Sequence, residues 1–130
     1  MPNPLLLDIV IFLTNLGLIE GDGIDTFRDF IPEMPDNLVA ITEYKGSPLV
    51  HYEPSGHRSV QISVRDKDAD AARRKALEIF KALQSDNTIV HFTPERWGQV
   101  VLRQSPFRSG TDSSERVTYA FNMGITTTIE

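Results

Sequence analysis

The stretch that most constrains the fold runs from Arg58 to Leu83, where the spacing of apolar residues changes from every second position to helical spacing. Its first half alternates apolar and polar residues, as a strand with one buried face does. Those apolar residues are Val60, Ile62 and Val64. The acidic turn Asp66–Asp68 follows, and Asp68 or Asp70 is the expected N-cap of the next element. This stretch therefore predicts a strand, a tight turn and a helix.

The helix after the turn is amphipathic. Its apolar residues recur three and four positions apart, which predicts one buried face. They are Ala69, Ala72, Ala76, Ile79, Phe80 and Leu83. Basic and acidic residues fill most of the remaining positions. A strand and a helix joined this closely must pack together, and the strand needs further strands as partners.

A second helix is predicted near the start of the sequence, over Asn3 to Ile19, with Asn3 as N-cap, Pro4 at the first helical position and Gly17 as the stop. Polar residues interrupt it too often for a membrane span. Because Asp8 lies inside the apolar run and no basic residue precedes Arg28, a secretory signal peptide is not expected either.

This first helix is apolar on most of its faces, so it must be buried by the domain or by a neighbouring subunit. Candidate residues for contact with a neighbour are Leu6, Val10 and Leu13. The alternative is that these three residues belong to the ordinary intramolecular core. The sequence leaves both interpretations open.

Other strands are predicted from alternating or β-rich runs between turn residues. They cover 38–44, 89–92, 99–104 and 117–126, and a short edge strand or packed turn lies near Phe27. Trp97-Gly98 is interpreted as a turn. The prediction is one α+β domain over residues 1–130, with a mainly antiparallel sheet of about four to six strands and two helices packed on one face.

The most polar segment, Ser105 to Arg116, contains four serines and Gly110. It is predicted to be a mobile loop of about a dozen residues, a length that is often functional. Such a loop can become ordered on meeting a partner. We therefore expect an interface here, with Arg108 and Arg116 as charged anchors and with Gly110 and Asp112 between them.

No catalytic, cofactor-binding or metal-binding residues are predicted. The net charge of -5 gives no basic footprint for a nucleic-acid binder, and the absence of cysteine excludes thiolate metal sites and disulfides. Sequence motifs of hydrolases, phosphate loops and zinc proteases are missing. His51 and Glu53 share a strand face without zinc spacing. The predicted function is therefore not enzymatic.

Two weaker patterns have plainer interpretations. Asp66, Asp68 and Asp70 resemble part of a calcium loop but lack the required Gly and the final Glu, so an acidic helix N-terminus is favoured. Trp97, near Arg96 and Arg103, could stack on a base. A packed or rim aromatic is favoured because the net charge is negative. Arg65 and Asp66 are interpreted as a local turn pair.

The order of these segments resembles the tail-terminator (tail-completion, or phage minor capsid) proteins of long-tailed bacteriophages. The resemblance rests on the following series: Leu16-Gly17 after the apolar helix, the proline-flanked segment Phe27 to Pro35, MPDNLVAITEYKGSP, VQISVR with Asp66 and the Ala-rich helix to Leu83, Gln104-Ser105-Pro106, and Arg116-x-x-Tyr119-x-x-Asn122. The segment from Ser109 to Glu115 departs from the shorter acidic turn common in such proteins.

This resemblance implies a structural role without catalysis or cofactor. Such proteins form a hexameric ring at the head-proximal end of the tail tube, stop tube polymerisation and present a surface to the head-completion protein of the connector. The expected partners are thus other copies of this chain, the tail-tube protein and the head-completion protein, with no membrane. Genome DNA would pass through the lumen without specific binding. The expected location is the virion tail, reached from the host cytoplasm during assembly.

Two alternatives stay open at this point. One is another junction or tail component, either a head-completion protein or a tail-tube subunit, although tube subunits are generally richer in strand. The other is a small cellular enzyme or ligand-binding α+β domain, which would need a pocket with converging polar groups. The sequence offers no such set of residues.

Overall fold

The computed structural model describes residues 4–44, 57–84, 89–94 and 96–127. Within these residues the chain forms two helices and seven strands. Their bounds are α1 Leu5–Asn15, β1 Thr26–Arg28, β2 Leu38–Tyr44, β3 His57–Asp66, α2 Ala69–Leu83, β4 Ile89–Thr93, β5 Arg96–Leu102, β6 Phe107–Thr111 and β7 Val117–Thr127. Neither helix of this described part is long and apolar enough to cross a membrane.

The strands form one curled sheet in the order β1-β2-β3-β7-β5-β4, with β6 also paired to β7. Only the pairing of β1 with β2 is parallel among the described strands. The prediction of an α+β fold with a mainly antiparallel sheet is confirmed, although the sheet has seven strands rather than four to six. The packing of both helices on one face stays a prediction.

The strand–turn–helix stretch forms as predicted. The apolar side chains of β3 are buried, and Asp68 caps α2 by accepting a hydrogen bond from the backbone N–H of Asp70 at 3.0 Å. The buried face of α2 lies against β3 and β7 and consists of Ala72, Ala76, Ile79 and Leu83. Phe80 adds an edge-to-face contact with Phe121 of β7, at a centroid distance of 5.3 Å. Together with α1 and the other strands, these residues form the hydrophobic core.

Helix α1 is shorter than predicted at both ends. Its N-cap is Pro4 and not Asn3, which lies outside the described residues, and no side chain caps it. It ends because Gly17 adopts a positive φ of 76°. The N–H groups of Gly17 and Leu18 then donate to the carbonyls of Thr14 and Leu13, which satisfies the last turn. The prediction that Gly17 stops the helix is confirmed.

The prediction of a turn at Trp97-Gly98 is wrong. Both residues lie inside β5, and the chain turns between Thr93 and Arg96. Gly98 is a packing glycine: a Cβ at this position would lie 3.2 Å from Ile125 Cγ2 and 3.3 Å from the ring of Phe92. Close approach of neighbouring side chains, not chain reversal, explains this glycine.

The prediction of a long mobile loop over Ser105–Arg116 is also wrong. Residues 107–111 form β6, which pairs with the first residues of β7, and only a short turn joins the two strands. All five side chains of β6 are exposed, so its backbone pairing leaves no alternation in the sequence. Strand β7 consequently has β3 along one edge and β5 followed by β6 along the other.

Candidate functional site

The α1 residues proposed to contact a neighbouring subunit are buried within the single chain. Leu6, Val10 and Leu13 are 6%, 2% and 0% exposed and belong to the hydrophobic core. The interpretation that they form ordinary intramolecular core therefore agrees with the structure. Burial in the monomer leaves these side chains little area to offer to another copy.

The four interface residues predicted on the polar segment separate into two groups. Arg108 and Gly110 are exposed on β6. Asp112 lies in the turn, and Arg116 is buried just before β7. Arg108, Gly110 and Asp112 are therefore exposed and only Arg116 is buried, while Asp112 and Arg116 together hold the turn of the hairpin.

Asp112 organises the β6–β7 turn through its carboxylate. Its Oδ1 accepts the backbone N–H groups of Ser114 and Arg116, both at 3.0 Å, and its Oδ2 accepts Arg116 Nε at 2.8 Å. The backbone hydrogen bond from Arg116 contributes most to lowering the pKa of Asp112 below its usual value. Partial burial opposes this shift, while the guanidinium of Arg116 and the N–H of Ser114 reinforce it.

Arg116 extends from the turn to the segment that joins β1 to β2. Its Nη1 donates to the carbonyl of Glu33 and, at 3.4 Å, to Asp36 Oδ1, while its Nη2 donates to Glu33 Oε1 at 3.2 Å. Burial alone would lower the pKa of Arg116, but the hydrogen bond and charge of Asp112, with the charges of Glu33 and Asp36, raise it overall. The guanidinium therefore remains charged among these carboxylates.

Arg65 lies near the end of β3, the strand that pairs with β7, and binds the same segment through hydrogen bonds. Its Nε donates to the carbonyl of Asp36 at 3.1 Å, and its Nη2 lies 3.0, 3.1 and 2.6 Å from the carbonyls of Pro32, Glu33 and Pro35. Burial, and next the charge of Arg116, lower the pKa of Arg65. The predicted local pair of Arg65 with Asp66 is wrong, because consecutive side chains of a strand point to opposite faces.

The segment held in this way is named the proline segment and comprises residues 29–37. A further anchor is Asp29, whose backbone N–H donates to Ile41 and whose Oδ1 accepts the N–H of Glu43 at 3.1 Å. The proline segment nevertheless exposes large apolar side chains: Phe30 at 57%, Ile31 at 55% and Met34 at 63%. Exposed apolar side chains on a fixed backbone are typical of a protein-binding surface that loses little entropy on association.

The histidines and carboxylates considered for metal binding do not form a metal site among the described residues. Within the described ranges, no group of three or more His, Asp or Glu residues could hold a metal ion. His51 and Glu53 lie outside those ranges, and His91 is exposed on β4. Asp68 serves as the helix cap, which agrees with the helix N-terminal interpretation of the acidic cluster.

Arg96 and Trp97 point away from each other along β5. Trp97 is half exposed, whereas Arg96 is buried and its Nε lies 2.7 Å from Asp8 Oδ2 of α1. Arg96 is therefore bound to α1 and does not accompany Trp97 at the surface, while the half-exposed Trp97 agrees with the favoured interpretation of a rim aromatic. Sequence reasoning missed both this ion pair and the role of Arg65, because the partners are far apart along the chain.

One comparison with known proteins gives a match. The family model described as bacteriophage tail terminator protein matches residues 12–129, which extend from the second half of α1 beyond the end of β7. A search of curated proteins gives no match.

Proposed function

Because the chain belongs to the bacteriophage tail terminator family, we propose that it caps the tail tube at its head-proximal end, ends tube polymerisation and allows the head to join. Membership of this family makes the chain a structural component of the phage tail, and therefore of the virion. The match over residues 12–129 is the observation that carries the proposal. The absence of a metal-binding cluster among the described residues is compatible with a structural role.

The proposed assembly is a ring of identical subunits, with six copies as the expected number. One side of the ring would meet the tail-tube protein and the other the head-completion protein of the connector. A ring closes through two different surfaces on each subunit, related by rotation. Two exposed surfaces support this proposal: the apolar side chains of the proline segment, and strand β6 with Arg108 and Gly110.

The lumen of such a ring must let DNA pass. The net charge of -5 is compatible with this, because a surface that neutralises few phosphates binds DNA weakly. In this proposal the genome crosses the ring without specific binding, and the protein assembles in the host cytoplasm before it becomes part of the virion.

Electron microscopy of phage particles made without this protein tests the proposal. Tubes longer than those of the complete phage are the expected result, because nothing would stop polymerisation. Absence of tubes would instead indicate a tube subunit. Full heads beside tails of normal length would indicate a head-completion protein, and either of these results would refute the proposed function.

A further inference from the structure

Arg116 joins two exposed parts of the protein that are far apart along the chain. Its Nε donates to Asp112 Oδ2 at 2.8 Å in the β6–β7 turn, and its Nη2 donates to Glu33 Oε1 at 3.2 Å in the proline segment. The side chain of Arg116 is 4% exposed, whereas those of Asp112 and Glu33 are 37% and 81% exposed. These contacts, named the Arg116 link, thus connect two surface elements through a buried cation.

A second guanidinium lies beside the Arg116 link. Arg65 Nη2 and Arg116 Nη1 both donate to the carbonyl oxygen of Glu33, so the two cations share one acceptor. Burial and then the charge of Arg116 lower the pKa of Arg65, as expected for neighbouring cations that repel each other. The proline segment can therefore keep both arginines only while carboxylates balance their charges.

The three carboxylates that balance these cations are not equivalent. Asp36 is shared, because its Oδ1 lies 3.4 Å from Arg116 Nη1 and its Oδ2 lies 3.4 Å from Lys67 Nζ. The side chain of Glu33 is the most exposed of the three, so solvent screens its charge. Asp112 makes the shortest ion pair with Arg116, at 2.8 Å against 3.2 and 3.4 Å for the other two. Asp112 is therefore the main counter-charge of Arg116.

We propose that Asp112 controls the proline segment through the Arg116 link, so that the β6–β7 turn and the proline segment are held or released together. Without the Asp112 carboxylate, repulsion from Arg65 drives the guanidinium of Arg116 toward solvent, and its bonds to Glu33 and Asp36 are lost. Arg65 alone contacts only backbone carbonyls of the segment, which are neutral acceptors. The exposed apolar side chains of the segment then no longer have a fixed position.

This device couples two exposed surfaces of the chain. A molecule that disturbs Asp112, whose side chain is 37% exposed, changes the order of a segment about 80 residues earlier in the sequence. Two sites are coupled when a change at one alters the free energy of the other. The Arg116 link itself does not depend on the proposed function. Its use in assembly, as a coupling between two docking surfaces, rests on that function.

Backbone order parameters from NMR relaxation of the purified chain test the link. In the natural chain, Ile31 and Met34 should have order parameters of about 0.85, the value of a rigid backbone. In the variant Asp112→Asn they should fall below about 0.6, while strand β3 keeps its values. The matched variant Glu115→Gln removes the same charge from an exposed residue of the same turn and should leave the segment rigid.

Three results of this experiment overturn the proposal. The first is a segment that stays rigid in Asp112→Asn, which would mean that Arg65 suffices to hold it. The second is an equal loss of order in Glu115→Gln, which would make the effect one of net charge. The third is a loss of order spread evenly over the strands, because Asp112 would then support the whole fold and not this segment.

A reciprocal measurement starts from the proline segment and does not require Asp112→Asn to fold. The double variant Glu33→Gln with Asp36→Asn removes the two carboxylates of the segment that pair with Arg116. Hydrogen exchange should become at least about threefold faster at the N–H groups of Ser114 and Arg116, because two partly exposed ion pairs are lost. Both N–H groups donate to Asp112 Oδ1 at 3.0 Å.

A second double variant is the control for this measurement. Glu20→Gln with Glu78→Gln also removes two exposed carboxylates, but from residues outside the Arg116 link. It should leave hydrogen exchange in the β6–β7 turn unchanged. Equal exchange rates in the two double variants overturn the link.

The effect on assembly is measured separately with tail tubes. At equal tube length, at least about fivefold more of Asp112→Asn than of Glu115→Gln should be needed, as expected for coupled sites. Equal potency of the two variants, with the segment released in NMR, would refute the use of the link in assembly. If the natural chain fails to limit tube length while the NMR results hold, the proposed function fails and the link stands.

Discussion

Two ion pairs in this protein have the same nitrogen–oxygen distance but different burial. Arg96 and Asp8 lie 2.7 Å apart with side chains that are each 5% exposed. Arg58 and Glu43 also lie 2.7 Å apart, but their side chains are 31% and 36% exposed. Removing one charge should therefore reduce the free energy of unfolding by very different amounts in the two pairs. In the buried pair the remaining charged group cannot be solvated by water, whereas in the exposed pair it can.

The variant Asp8→Asn keeps the side-chain shape but leaves the Arg96 guanidinium buried without that carboxylate. Loss of one partner from a buried pair costs about 3–5 kcal/mol in free energy of unfolding. The matched variant Glu43→Gln should cost at most about 1 kcal/mol. For a chain of this size these values correspond to a decrease in Tm of about 10–15 °C against about 3 °C.

Thermal and urea unfolding of both variants, followed by circular dichroism, measure the difference. A third variant, Asp8→Leu with Arg96→Met, removes both charges and should recover most of the lost stability, since an apolar pair of similar volume often replaces a buried ion pair without penalty. An Asp8→Asn variant as stable as Glu43→Gln would refute the reasoning that burial determines the cost.

Three further predictions concern single residues. Arg65→Met should reduce the free energy of unfolding by about 2–4 kcal/mol because it removes hydrogen bonds to the proline segment, whereas the exposed Arg73→Met should be nearly neutral in urea unfolding. The pKa of Asp112, measured by NMR titration, should lie below the ordinary aspartate value of about 3.9. The contribution of Asp112 to the free energy of unfolding is therefore complete above a pH of about 3.9 and is lost as the pH falls through the lowered pKa. A titration midpoint at or above about 3.9 would contradict this. Gly98→Ala should destabilise by about 1–3 kcal/mol in thermal unfolding, whereas Gly110→Ala, with no atom within 4 Å of its added Cβ, should not.

Sequence periodicity predicted the elements that have one buried face. Strand β3 and helix α2 follow it because Val60, Ile62 and Ile79 enter the core at the spacing that each backbone geometry imposes. Strand β6 was missed because all its side chains are exposed, and its sequence therefore has the composition of a loop. Only its backbone, which pairs with β7, makes it a strand. Gly98 was misinterpreted because a glycine needed for close packing and a glycine needed for a turn are alike in sequence.

The candidate site was harder to predict because it depends on contacts between distant residues. Arg65 and Arg116 converge on the proline segment only when β3 and β7 pair. Arg116 was expected from the polar segment as a charged anchor, but its burial could not be expected from that segment alone. Family resemblance supplied the functional hypothesis, while the structure identified which apolar side chains are exposed on a fixed backbone.

The length of tail tubes polymerised in vitro with increasing amounts of this protein tests most directly whether it ends tube polymerisation. Purified tail-tube protein of the same phage would be assembled with the chain present, and tube lengths would be measured by electron microscopy. If the protein ends polymerisation, tubes become shorter as the ratio of this protein to tube protein increases, and the added protein is located at a tube end. Tubes of unchanged length, or protein distributed along the tube wall, would contradict it.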